Sequence, residues 1–214
     1  MDALGLFAKG LVIVEFTAAA AGILTRHRWK GHYLQWFPLY LLFVTALEFL
    51  YYYLFKSNRP AAYLVKQAQP IVEILFLHFF FYNVLAQKHK KTVITGAVVY
   101  ITALVIENTL LKSNTYYFES LSYTAANLFI LIYLIFFFTT LVNSEHLLVF
   151  KQLTVFWIMC GLLVFYLGTF PFYGLYNELA RNLNIFIPAA WIATSLNYCM
   201  YLLFTIGFIW GKAH

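Results

Sequence analysis

The stretch LFILIYLIFFF (128–138) runs eleven residues without a charged, amide or hydroxyl side chain other than one tyrosine. A half-buried strand would alternate apolar with polar residues, and an amphipathic helix would show a polar stripe. This run does neither. Extended in both directions it stays apolar over 117–142, enough to cross a hydrocarbon layer of roughly 30 Å, which takes about 20 residues as a helix. Helices are the better reading over a transmembrane barrel, whose strands alternate over segments of about ten residues.

Six more segments share the pattern, so seven spans are expected: 3–25, 33–55, 63–86, 92–111, 117–142, 151–175 and 185–210. The breaks between them are short and polar: RHRWKGH, KSNRPAA, QKHKK, KSNTY, NSEHLLVF and YNELARNLN. Short connections join antiparallel neighbours. Composition agrees, since 63% of the 214 residues are hydrophobic and 10% charged, against about 25% charged in a soluble domain. The expected fold class is therefore all-α: a polytopic membrane protein forming one seven-helix domain over 1–214. The lipid bilayer is its first partner and the cell membrane its location, the inner membrane if the source is bacterial. The first span reads as a retained helix, despite the small residues TAAAAG (17–22). Its start carries Asp2 in place of a basic cluster, and its apolar run is longer than a signal core.

Orientation follows from the bases. One side collects Arg26, Arg28, Lys30, Lys88, Lys90, Lys91, Lys151 and Lys212. The other holds Lys56, Arg59, Lys112 and Arg181, with Lys9 and Lys66 inside helices. The richer side is expected to be cytoplasmic, leaving the N-terminus outside and the C-terminus inside. The net charge of +6 is explained by this asymmetry and by anionic headgroups, so nucleic acid is not an expected partner. Trp29, Trp36 and Trp210 read as anchors at the inner interface. Trp191, Tyr51, Tyr52, Tyr53, Tyr116, Tyr117, Tyr173 and Tyr176 read as an outer belt. The connections and the tail after Trp210 leave no room for a soluble catalytic or signalling domain, so chemistry is expected among the helices.

No metal or cofactor is expected. Cys160 and Cys199 fall inside spans and read as buried free thiols, and neither CxxC nor HExxH occurs. His78 is the one histidine deep in a span; without a second histidine at depth it reads as a helix contact. His27 and His32 form a single H-x4-H pair in a basic loop, too little for a membrane di-iron centre, and His146 lies close to an inner loop.

Ionisable groups at membrane depth carry the functional information, because they are costly there and turn inward. At about 1.5 Å per residue, Glu15 lies near the midplane, with Glu48 and Glu73 between it and the outer surface. Thr45, Glu48 and Tyr52 share a face by their i, i+3, i+7 spacing, as do Lys66, Gln69 and Glu73, and Thr194, Asn197 and Tyr201. Tyr123 and Asn127 are i, i+4, and Tyr166 with Thr169 sits in the outer half of the sixth span. The ligand-binding candidates are thus Glu15, Thr45, Glu48, Tyr52, Lys66, Gln69, Glu73, Tyr123, Asn127, Tyr166, Asn197 and Tyr201. Together they predict a polar cavity opening outward. Asn127, Asn197 and Thr194 also fit interhelical glue, and Lys66 with Glu73 fits an ion pair inside the bundle. Glu107 and Glu119 lie near the surface, where solvation accounts for them. Pro70, Pro171 and Pro188 fall in outer helix halves, where each frees a backbone carbonyl; Pro38 marks a helix start. An offset of 118 sets Pro70 on Pro188 but Glu48 on Tyr166 and Glu15 on Tyr133, too few identities for a repeat.

The runs VEILFLHFFFYNVLAQKHKK (72–91), FWIMCGLLVFYLGTFPFY (156–173) and WIATSLNYCMYLLFTIGFIW (191–210) resemble small seven-helix membrane proteins of Bacteroidota type. They are also similar to the membrane input regions of some sensor histidine kinases. The resemblance implies an integral membrane protein of sensory kind and carries over no catalytic residue. The seventh span has no lysine for a retinal Schiff base, and signature motifs of 3+1+3 vitamin carriers are missing. The first functional expectation is a receptor-like or sensory bundle that binds a small molecule and signals through a membrane or cytoplasmic partner. The alternatives are a secondary, proton-coupled transporter, a structural subunit of a membrane complex, and an intramembrane enzyme acting on lipid. No catalytic motif supports an enzyme.

Overall fold

A single residue, Asn58, separates α2 (Trp36–Ser57) from α3 (Arg59–Val84). Its side chain accepts from the Ala61 N–H at 3.3 Å, and Pro60 occupies the first turn, where its missing N–H costs nothing. The expected polar break KSNRPAA is therefore mostly helix. The cap lets α3 begin at residue 59 where the apolar pattern alone suggests 63.

The computed structural model describes residues 2–29, 32–111, 118, 120–144 and 150–212. Lys30, Lys112, Tyr116, Tyr117, Glu119 and His146, together with the last two residues, lie outside them. The other helices are α1 (Asp2–Thr25), α4 (Lys90–Ile106), α5 (Ser120–Val142), α6 (Thr154–Gly174), the short α7 (Tyr176–Leu179) and α8 (Leu183–Trp210). A π turn, Glu107–Leu111, continues α4; a 3-10 turn at Arg26–Trp29 occupies the expected basic loop, and another at Tyr33–Gln35 opens the expected second span. All long elements among the described residues are helical. Seven of them are long and apolar enough to cross a membrane.

Each long helix packs on its sequence neighbour, and α1 packs on α8, which closes the seven into a ring; α3 also reaches across to α5. The exterior is apolar: Leu24, Leu110 and Leu6 are more than 70% exposed, and Phe49, Ile135, Leu167 and Ile192 at least 58%. A soluble protein hides such surface. It fits a multi-pass membrane protein with a lipid bilayer as its surroundings.

Hydrocarbon supplies no hydrophobic drive for helix association, so close approach must come from shape. At the α6–α8 contact a Cβ on Gly161 would lie 2.8 Å from the Phe204 ring, and one on Gly207 2.8 Å from Trp157 Cβ. The two glycines admit the large side chain of the opposite helix.

One end of the bundle holds Asn58 and the other Arg28, whose guanidinium donates to the Ile209 carbonyl at 3.1 Å. Near the Arg28 end, rings fill the interior. Phe37 meets Phe80 and Phe204 edge-on at 4.9 and 5.2 Å, and Trp29 tilts against Phe208 at 5.5 Å. Trp29, expected as an interface anchor, is instead 1% exposed, because the 3-10 turn folds it inward; Trp36 and Trp210 do stay on the outside.

Glu107 is also unlike its expected, solvated role. It is fully buried and accepts from the Leu121 and Ser122 N–H groups at 3.0 and 2.9 Å. The carboxyl group caps the positive end of α5, whose own N-terminal N–H groups have no partner within the helix.

Candidate functional site

Towards the Asn58 end the ring of helices parts around a cavity of about 490 Å³. Its lining starts at Tyr63, Lys66, Tyr176 and Phe186, and its floor is the ring layer of Phe37, Leu77 and Phe204. The volume is in the range that holds small organic ligands, about 300–1,000 Å³.

Its polar wall is built chiefly by α1, α2, α3 and α8. On α3 the i, i+3, i+7 spacing turns Lys66, Gln69 and Glu73 to one face. The Lys66 ammonium donates to Gln69 Oε1 at 3.2 Å and lies 3.6 Å from Glu48 Oε1, while the Gln69 amide donates to the same Glu48 oxygen at 3.2 Å. The cation thus pairs with Glu48 on the neighbouring helix rather than with Glu73 on its own, since the α2–α3 hairpin sets these faces together. The Lys66 side chain is half exposed, so the pair itself is worth no more than about 1 kcal/mol. Glu73 instead accepts the Tyr166 hydroxyl of α6 at 2.5 Å.

Glu15 is different. It lines the cavity from α1, is 1% exposed, and has one carboxyl oxygen buried without a hydrogen-bond partner. Tyr201 is a hydrogen-bonding neighbour, and Glu48 and Glu73 are close enough to act on it as like charges. Asn197 also lines the cavity, and its side-chain carbonyl oxygen is likewise buried and unpartnered. Two buried acceptors therefore lack donors. Lys9, expected as an embedded partner for the carboxylates, lies on the exposed face of α1. Among the described residues Lys66 is the one cation that lines the cavity.

Of the sequence candidates, Glu15, Glu48, Tyr52, Lys66, Gln69, Glu73, Tyr123, Asn197 and Tyr201 line this space. Three do not. Thr45 is buried and returns its hydroxyl to the Leu41 carbonyl at 2.8 Å, the usual fate of a helical threonine. Tyr166 stands behind Glu73 and holds it. Asn127 is fully buried with neither amide atom partnered, away from the cavity lining.

The aromatic part was less legible. Tyr40, Tyr100 and Tyr173 also line the cavity, as does Tyr176 on α7, the helix inside an expected loop. Tyr173 and Tyr176 read as belt residues in the sequence. Yet Tyr40 precedes Val44, Glu48 and Tyr52 at steps of four, and Tyr173 follows Tyr166 by seven, so the helical period carried the signal. Tyr40 stacks flat on Phe76 with centroids 4.0 Å apart. Burial, with Tyr51 nearby, keeps the Tyr176 phenol above its ordinary pKa and therefore neutral at the rim.

His78 Nδ1 donates to the Ile74 carbonyl, 2.8 Å away, and its other ring nitrogen is unpartnered. No group of three His, Cys, Asp or Glu among the described residues is placed to hold a metal ion. Cys160 and Cys199 are free thiols, although Cys199 faces outward rather than into the bundle. Compared with protein-family models, with curated proteins and with solved structures, the chain matches none.

Proposed function

We propose that this chain is a receptor-like membrane bundle that binds a small molecule in the cavity and passes the binding on to a membrane or cytoplasmic partner. The observation that carries this reading is the cluster of Glu15, Glu48, Glu73 and Lys66 from three helices around one space of ligand size. Interhelical glue pairs polar groups across helices. Glu15 and Asn197 retain buried acceptors that no helix satisfies.

A receptor is favoured over a transporter by the floor. A transporter needs polar groups continuing towards the opposite end, and here Phe37, Phe80 and Phe204 close the path. In this reading the N-terminus is outside, the cavity opens outward, and the C-terminus is cytoplasmic.

The test is a thermal-shift screen of a small-molecule library against the purified full chain in nanodiscs. Wild type gains several degrees with a binder, whereas Glu48→Gln and Glu73→Gln, both folded, lose the shift. Retention of the shift in both variants would sink the cavity reading. Counterflow of the binder in proteoliposomes would select the transporter instead.

A further inference from the structure

Glu15 sets the terms for what the cavity would accept. Three carboxyl groups face the space against one ammonium, and they are not equivalent. Glu48 has Lys66 and Gln69, and Glu73 has the Tyr166 hydroxyl. Glu15 is the most buried of the three, and one of its oxygens has nothing to accept from. Asn197 adds a second buried acceptor, a carbonyl oxygen, on α8. A buried acceptor without a donor is destabilising, and a ligand that brings donors recovers that loss. Two acceptors within an acidic wall select a donor that is also positive.

The surrounding walls narrow the class further. Tyr40 and Tyr201 line the cavity and lie in electrostatic range of Glu15, and Phe37 and Phe204 floor it. Aromatic faces attract organic cations, most strongly where water is excluded. A bare metal ion fits less well, since no three ligating side chains among the described residues converge. An anion would have to displace Glu48 and Gln69 from Lys66.

We propose that the ligand is a small organic ammonium ion, its N–H groups donating to Glu15 and Asn197 and its apolar body held among the aromatic side chains. This rests on the ligand-binding reading above and gives that site its chemical class.

Three probes on one phenylethyl body test it: 2-phenylethylammonium, neutral 2-phenylethanol and anionic 3-phenylpropionate, titrated calorimetrically into the full chain in nanodiscs. Wild type is expected to prefer the ammonium over the alcohol by about tenfold or more in Kd. Glu15→Gln is expected to bring that ratio close to one while alcohol binding persists, which also shows that the variant is folded. Should Glu15→Gln fail to fold, the ranking of the three probes on wild type decides alone. Ala193→Trp, which fills the cavity from its buried wall, should abolish binding of every probe. An ammonium preference that survives Glu15→Gln overturns the inference. So does equal or tighter binding of the alcohol or carboxylate, or no ammonium binding at all. Alcohol or carboxylate binding that Ala193→Trp removes would leave the cavity as a binding site and discard only the cation. Binding that Ala193→Trp leaves intact would remove the cavity itself.

Discussion

Glu107 places both carboxyl oxygens on the leading N–H groups of α5, while Glu15, equally buried, keeps an oxygen unsatisfied. The first is a structural carboxyl and the second a binding candidate, and the difference lies in partners alone. Glu107→Ala strands two N–H groups at a buried helix start. It is expected to cost about 1–2 kcal/mol, the range for lost caps, read as a lower Tm with cavity binding retained. In the sequence these residues look alike, an acid in an apolar helix, and depth along the helix ranked Glu107 as solvated. Depth was the wrong variable, because the start of α5 folds over the end of α4 and covers it. Glu48, Lys66 and Gln69 were more legible, since their spacing places them on helix faces before any contact is known.

The helices are where local signals speak most clearly. Asn58, Pro60 and the cap of α8 by Asn182, which accepts from the Asn184 N–H at 3.1 Å, set boundaries by ordinary capping chemistry. Element packing is less local. Gly161 and Gly207 face large groups of the opposite helix, so a side chain there must push α6 and α8 apart. Gly161→Leu is expected to destabilise by about 1–3 kcal/mol, as overpacking does. The same change at Gly5, which has nothing within 4 Å, should leave Tm unchanged. Equal effects at the two sites would argue against a packing role. Nothing in the sequence separates these glycines, because what distinguishes them is the neighbour across the interface. The α7 turn was missed for a related reason: YNELARNLN is polar enough to read as loop, and only its packing beside Phe172 and Phe186 shows Tyr176 turned to the cavity.

At the scale of the molecule, the apolar exterior and the count of seven long helices follow from hydropathy, and the orientation rests on the bases. If the basic Arg28 end is cytoplasmic, a membrane-impermeant maleimide should label Arg59→Cys in intact cells and leave Lys88→Cys unlabelled. Cys160 and Cys199 would be replaced by serine beforehand. The opposite pattern would invert the topology, and the cavity would then face the cytoplasm. The sequence by itself determined the number of membrane-length helices, their class, their apolar surroundings and the helical faces that carry acid, because these depend on side-chain transfer energies and on a period internal to each helix. Only the tertiary structure decided which faces meet. It paired Lys66 with Glu48 instead of Glu73, gave Tyr166 to Glu73, took Thr45 and Asn127 out of the cavity lining, and left Glu15 and Asn197 with unanswered acceptors. The physical reason is that a hydrogen bond needs its partner within about 3.2 Å, and that distance is set by helix rotation and ring closure, which no single helix encodes.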